Sequence, residues 1–254
     1  MVLFKQLKTL TLSLLVACQF IGGDLMAAEK TLAQPKVIIF DVNETLLDLE
    51  SMRTSIGAAL GGREDLLPLW FSTMLHHSLV STAIGDYQDF GKIGVASLLM
   101  VAQNNAIKLN VEQAKTAIVT PLLSLPAHSD VKAALQILKD RGYKLVSLTN
   151  SSNNGVKTQF ESAGLTDFFQ ARYSIEDIKI YKPDLRAYQW ALQKLQVKPE
   201  EALMVAAHGW DVAGAKAAGL QTAFIARPGK ALYPLAKTPD YKVNDLTELV
   251  ALLK

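Results

Sequence analysis

A chain of 254 residues, half of them apolar and a fifth charged, with a formal net charge of +2, has the material for one full-sized core with an insertion. The near-neutral balance contains no basic block that would track a phosphate backbone, which argues against a nucleic-acid partner and in favour of small molecules. Low-complexity segments and internal repeats are absent from the sequence.

At the N-terminus, Lys5 and Lys8 precede the apolar stretch "TLTLSLLVACQFIGG", which is too short for a comfortable membrane span. Residues 1–28 resemble a bacterial secretion signal. Cys18 in "LVAC" is similar to the site where lipoprotein signals are cut and the new terminal cysteine is acylated, which would tether the chain to a membrane. Cleavage further on, near "LMAAE", would release a soluble protein instead. No cysteine follows position 18, so no disulfide can report on the compartment. The expected location, on the signal alone, is periplasmic, soluble or lipid-anchored.

From Gln34 onward strand-like and helix-like stretches alternate, the pattern of an α/β doubly wound parallel sheet. "KVIIFD", "KLVSLTN", "ARYSI", "ALMVAA" and "TAFIA" are short β-branched or apolar runs between turn signals and read as strands. "SDVKAALQILKDRGYK" carries apolar residues at Val131, Leu135 and Leu138 and ends at Gly142, a residue suited to a left-handed helix cap. "KPDLRAYQWALQKLQ" and "WDVAGAKAAGL" read as helices in the same way. About a hundred residues separate the first strand from the second, far more than one crossover helix needs. Residues 51–125 are helical by period, including "REDLLPLWFSTMLHHSLVSTA" and "VASLLMVAQNNAIKL", and form an inserted helical cap. Residues 34–50 and 126–254 then supply the core.

Open parallel sheets bind ligands beyond the carboxyl ends of their strands. Asp41 and Thr45 stand after the first strand, Thr149, Asn150 and Ser151 after the second, Lys182 in the loop after the third, and His208, Trp210 and Asp211 after the fourth. Two carboxylates, an ammonium and several hydroxyl and amide groups would converge there, an active-site inventory. Each has a plainer reading: Asp41, Asn43 or Asp211 as helix caps, Thr149 to Ser151 as turn chemistry, Lys182 as a solvated lysine, Trp210 as packing and His208 as structural. Four strand-end signals in the right order outweigh these.

The motifs "FDVNET", "LVSLTNSS", "YKPD" and "MVAAHGWD" identify the chain as resembling the haloacid dehalogenase superfamily, with the cap inserted between the first two motifs as that family has it. "DVNETLLDL", "YKPDLRAY" and the tryptophan before the last aspartate are similar to the L-2-haloacid dehalogenase branch. Phosphatases of the superfamily carry a second aspartate where Asn43 stands, because an alkoxide leaving group must be protonated as it departs. Halide leaves unprotonated, so a carbon–halogen substrate needs an aimed carboxylate and an anion cradle, and a spare acid contributes nothing.

The resemblance implies that Asp41 attacks the α-carbon of an L-2-haloalkanoate, expelling halide and forming an ester that water then hydrolyses to a D-2-hydroxy acid. It implies that Lys182 keeps Asp41 ionised, that Asp211 orients Lys182 or water, and that Thr45 bonds to Asp41. Thr149 and Asn150 receive the substrate carboxylate, and Tyr188 supports the nucleophile's surroundings. No cofactor and no metal are expected, since the fourth motif offers one carboxylate beside the bulky Trp210 in place of an acidic pair; a homodimer is left open. Two departures stand out. Family members place a halide-binding arginine after "LW" in the cap, where this chain has Phe71, and "SSNAWD" becomes "AAHGWD", with Ala206 and His208. Halide would then be received by Trp70, Phe71, His76 or His77, and His208 joins the substrate-binding residues. The alternative is a hydrolase of the same fold acting on a phosphate or another small organic acid, with Mg²⁺ as a cofactor it would use.

Overall fold

The structure is a computed structural model and describes residues 32–254; the leader reading, with Cys18, falls outside the described residues. Six parallel strands form one sheet: β1 (Val37–Phe40), β2 (Lys144–Thr149), β3 (Ala171–Ser174), β4 (Ala202–Ala206), β5 (Gln221–Ile225) and β6 (Tyr241–Val243), in the order β3-β2-β1-β4-β5-β6. The order steps outward from β1 in both directions, so the chain reverses its winding between β1 and β4 and opens a crevice at their carboxyl ends. The first strand is buried along its whole length, as the run "VIIF" requires of a central parallel strand. It pairs in register with Lys144–Ser147 on one side and Ala202–Val205 on the other.

Between β1 and β2 the chain forms α1 (Arg53–Ala59), α2 (Leu67–Ile84), α3 (Phe90–Asn104), α4 (Val111–Leu123) and α5 (Val131–Asp140). The first four make up the insertion, with α2 packed on α3, α3 on α4 and α1 on α4. The helix expected through "VASLLMVAQNNAIKL" stops at Asn104, because the Asn105 side-chain amide donates back to the Val101 carbonyl and Ala106 turns into a left-handed conformation. A capping box between Asn110 and Gln113 then starts α4 afresh. At the end of α5, Gly142 has the expected left-handed backbone (φ 83°).

The remaining helices are α6 (Asn153–Ala163), α7 (Leu185–Leu195), α8 (Gly209–Ala217) and α9 (Leu246–Leu252). The apolar pattern did not announce β6, α6 or α9. The first is three residues long and half exposed, while α6 and α9 are defined as much by their caps, Ser152 on the Gly155 N–H and Asp245 on the Glu248 N–H, as by period. No described helix is long and apolar enough to cross a membrane.

Candidate active site

The chain leaves β1 at Asp41 and turns back tightly: the N–H groups of Leu46 and Leu47 both donate to the Val42 carbonyl. Glu44 lies inside this turn with a positive φ of 63°, a conformation that costs a residue with a β-carbon about 1 kcal/mol or more. Its carboxylate offsets that cost through two ion pairs, one with Lys230 and one with His208 at 2.6 Å. Thr45 is fixed at both ends. Its hydroxyl accepts from the Ala207 N–H at 2.9 Å, which points its own proton at Asp41 Oδ2, 2.7 Å away. Its carbonyl accepts from the Arg227 guanidinium at 3.0 and 3.2 Å.

Lys182 reaches the same place from the loop after β3. The preceding residue, Tyr181, is tied to the insertion by its N–H on Thr82 Oγ1 at 2.9 Å and its hydroxyl on the Gln88 carbonyl at 2.6 Å. The backbone N–H of Lys182 itself donates to Asn150 Oδ1. From that anchorage a fully buried ammonium bridges Asp41 Oδ1 at 3.0 Å and Asp211 Oδ2 at 2.5 Å. Tyr188 on α7 donates to the other oxygen of Asp211 at 2.6 Å. None of these groups follows its plainer reading. Lys182 is not a surface lysine, and Asp211 is not the cap of α8, whose N-cap position is His208.

The fourth strand delivers His208 onto the nucleophile. Its Nδ1 lies 3.0 Å from Asp41 Oδ2 and its Nε2 2.6 Å from Glu44 Oε2, and the ring is stacked between Phe71 of α2 and Trp210 of α8. Burial alone would strip the proton from this imidazole, but hydrogen bonds and charge from both carboxylates outweigh it and raise its pKa to about 9. His208 is therefore an imidazolium at neutral pH, donating from both nitrogens. Burial would likewise raise Asp41, yet Lys182, His208 and Thr45 together hold it below the usual carboxylate range. Asp211 goes the other way: burial and the charge of Asp41 push it up against the pull of Lys182 and Tyr188.

Asn43 faces away from this cluster. Its amide donates to Ser151 Oγ at 3.1 Å and its carbonyl accepts from Gln159, whose amide also donates to the Leu122 carbonyl of the insertion. The Thr149 hydroxyl accepts from the Ser151 N–H, and Asn150 Nδ2 is buried with no partner among the described residues, an unmet donor at the end of β2.

A cavity of about 470 Å³ opens beside the cluster, lined among others by Glu44, Phe71, His208, Trp210, Arg227 and Lys230. Phe71 is thus brought to the site, as the sequence suggested. Trp70 is not: it is fully buried within the insertion, with its indole N–H spent on the Gly94 carbonyl at 2.9 Å. Residues 70 and 71 are adjacent on a helix and so point in different directions. His76 and His77 pack against each other, and neither lines that cavity. Glu44, Arg227 and Lys230 were missed. Extending the strand-end inventory to the fifth strand, "TAFIARPGK", would have found the last two.

Among the described residues, no group of three or more His, Cys, Asp and Glu side chains is arranged to share a metal ion. The space between Asp41 and Asp211, where a divalent cation would be held by carboxylates, is spanned by the Lys182 ammonium, so these residues do not fit a hydrated cation there.

A buried carboxylate held ionised by an ammonium at the end of a central parallel strand, under a helical insertion, is the arrangement of a doubly wound hydrolase that uses a carboxylate as its nucleophile. The family profile described as haloacid dehalogenase-like hydrolase matches residues 35–219. "(S)-2-haloacid dehalogenase 1" of Pseudomonas sp. (strain CBS-3) is 30% identical over 219 residues, covering 86% of this chain and 96% of that protein. The solved L-2-haloacid dehalogenase of Xanthobacter autotrophicus superposes with a TM-score of 0.80 at 26% identity, covering 86% of this chain and 98% of that one. A second structure of that enzyme, with chloropropionic acid covalently bound, superposes with a TM-score of 0.78 at the same identity and coverage. The chain belongs to the haloacid dehalogenase-like hydrolase family.

Proposed function

We propose that this chain is a hydrolase of carbon–halogen bonds acting on an (S)-2-haloalkanoate through an ester on Asp41. One observation carries the proposal: Asp41 is ionised and aimed by Lys182, while the position that would supply a proton donor to a basic leaving group is Asn43, its side chain turned away onto Ser151 and Gln159. A leaving group that needs no proton matches that arrangement. The similar (S)-2-haloacid dehalogenases and the solved relative bound covalently to chloropropionic acid support the same chemistry.

In this reading Asp41 attacks the α-carbon, halide departs with inversion, and water opens the resulting ester to a 2-hydroxy acid. Asp211, pushed up by burial, is suited to accept a proton from that water. The unpartnered Asn150 amide and the Thr149 hydroxyl would receive the substrate carboxylate, where an unmet buried donor gains most from a charged acceptor. Tyr188 would hold Asp211 in place. Phe71, His208 and Trp210 would face the halide side from the cavity. A homodimer and an acylated Cys18 remain part of the proposal and are read out by sedimentation and by lipid labelling.

The test is halide release from 2-chloropropionate with and without chelator, alongside Asp41→Asn. Expected are chelator-insensitive release and a loss of about 10⁴-fold or more in the variant. Chelator-sensitive phosphate release from phosphate esters, with no halide release, would instead establish the phosphatase alternative.

A further inference from the structure

The two oxygens of Asp41 are not equivalent. Among the described residues, Oδ1 accepts only from Lys182, whereas Oδ2 accepts from both the Thr45 hydroxyl and His208 Nδ1. The less encumbered oxygen is the one with a lone pair to give, so Oδ1 becomes the bridging oxygen of the aspartyl ester and Oδ2 its carbonyl oxygen. When water adds to Cγ, the π electrons of that carbonyl move onto Oδ2, where two donors already converge at 2.7 and 3.0 Å.

We propose that His208 is a catalytic residue of ester hydrolysis, forming with Thr45 the oxyanion hole for the tetrahedral intermediate on Asp41, and that Glu44 is the positioning residue that keeps His208 charged through this step. The proposal rests on the aspartyl-ester reading above. The water oxygen joins Cγ and passes one proton to Asp211, and the carbonyl pair rests on Oδ2. As that pair returns, the Cγ–Oδ1 bond breaks and its electrons leave with the 2-hydroxy acid oxygen, which takes the proton back from Asp211. The carboxyl thus left on Asp41 loses its remaining proton to solvent.

Glu44 is needed because esterification removes the charge of Asp41. A buried imidazolium whose only anion has been neutralised gives up its proton. Here a second carboxylate stands 2.6 Å from the opposite nitrogen, is itself held ionised by His208 and Lys230, and persists unchanged through the ester stage. The charged groups around the ring are Asp41 and Glu44 in contact, with Lys182 behind the first and Lys230 behind the second. Phe71 and Trp210 cover its faces, and Asp48, Glu50, Arg227 and His128 line the adjoining cavity. Protonation of the leaving group by His208 is excluded by geometry: Nδ1 is committed to Oδ2 and Nε2 to Glu44, while in-line displacement puts the leaving group beyond the carbon from Oδ1.

The experiment is rapid-quench kinetics with (S)-2-chloropropionate, following halide by ion chromatography and the adduct on Asp41 by mass spectrometry. His208→Asn keeps a neutral donor and removes the charge. It should release the first equivalent of halide at nearly the wild-type rate and then accumulate adduct, with hydrolysis slowed roughly 10²-fold. Glu44→Gln should move the alkaline decline of adduct hydrolysis at least one pH unit lower, a shift that a merely structural role for Glu44 would not cause. The pH profile of Glu44→Gln decides the matter should His208→Asn fail to fold. Adduct hydrolysis at the wild-type rate and pH profile in these variants overturns the proposal, as does equal slowing of halide burst and hydrolysis in His208→Asn. Halide release by wild type with no adduct, or no halide at all, removes the aspartyl-ester reading itself.

Discussion

Replacing Lys182 by methionine keeps most of the side-chain volume and removes one charge, and so isolates what that charge does. The ammonium is fully buried and stands 3.0 and 2.5 Å from two carboxylates that are also buried. Breaking a buried ion pair from one side costs about 3–5 kcal/mol, because the partner charges stay behind without solvent. Against a total stability of about 5–15 kcal/mol this is a large fraction. The loss should depend on pH with a defined sign. In wild type the lowered pKa of Asp41 contributes stability that is present above its unfolded value and lost only as pH falls through the depressed folded value. In Lys182→Met the carboxyl of Asp211, already pushed up by burial, loses its main counter-charge and rises further. Its contribution then favours folding below the unfolded pKa and fades as pH rises through the folded one. The variant should therefore lose stability from pH 5 to pH 8 more steeply than wild type, which falls there through His208, with halide release abolished at both. Urea unfolding at a series of pH values measures this. A variant within about 1 kcal/mol of wild type, with a parallel pH curve, would refute the bridge.

Further tests separate the neighbouring groups. The pKa of His208, raised to about 9 from an unfolded value near 6.5, contributes about 3 kcal/mol that is fully present below pH 6.5 and lost as pH rises through 9, so wild-type stability should fall across that window and His208→Ala should flatten it. Trp70→Phe removes the indole bond to the Gly94 carbonyl, which keeps its helical partner within α3, and should cost about 0.5–1.5 kcal/mol in chemical unfolding while leaving KM unchanged, since Trp70 does not line the cavity. A methyl group at Gly214 would lie 2.6 Å from Pro183 Cβ and 2.7 Å from the Tyr188 hydroxyl, so Gly214→Ala should loosen the Tyr188–Asp211 bond, lower kcat, and destabilise by about 1–3 kcal/mol in thermal unfolding.

Strand ends carried most of the site because a buried parallel strand has a signature that survives in one sequence. "VIIF" and "ALMVA" are apolar without alternation, so their last residues, and the polar groups that follow, can be placed without a structure. Asp41, Thr45 and Asp211 were legible for that reason, whereas Lys182, eight residues beyond the half-exposed β3, was legible through the "YKPD" turn. Trp70 was misplaced because α2 has too little amphipathic bias to show which face is buried: Leu69, Leu79 and Ile84 are exposed, while the buried stripe includes Ser78 and Ser81. Glu44 was invisible for a different reason. In a sequence an acidic residue in a turn is solvated by default, and only the left-handed backbone at position 44 swings it inward to meet side chains from beyond β4 and β5. The strand β6 and helix α9 escaped because three half-exposed residues and a capped two-turn helix have no period to detect.

Asn43 and His208 belong to one electrostatic scheme. Were Asn43 an aspartate, a third carboxylate would enter the turn that already holds Asp41 and Glu44, with only Ser151 and Gln159 beside it to satisfy a charge. An amide suits that pair of partners, donating to one and accepting from the other. Positive charge is placed instead on the opposite side of Asp41, as an ammonium on Oδ1 and an imidazolium on Oδ2. Two cations on one carboxylate reduce its basicity far more than its reach, which suits a nucleophile that must stay unprotonated near a proton-accepting Asp211. The cost is slower attack on carbon. The gain comes in the second half of the reaction, when charge develops on Oδ2 beside a donor that is already charged and already in place. A chain that lacks the arginine its relatives are expected to use on the halide, and that carries Glu44 and His208 around its nucleophile, is thus built more for opening the ester than for making it.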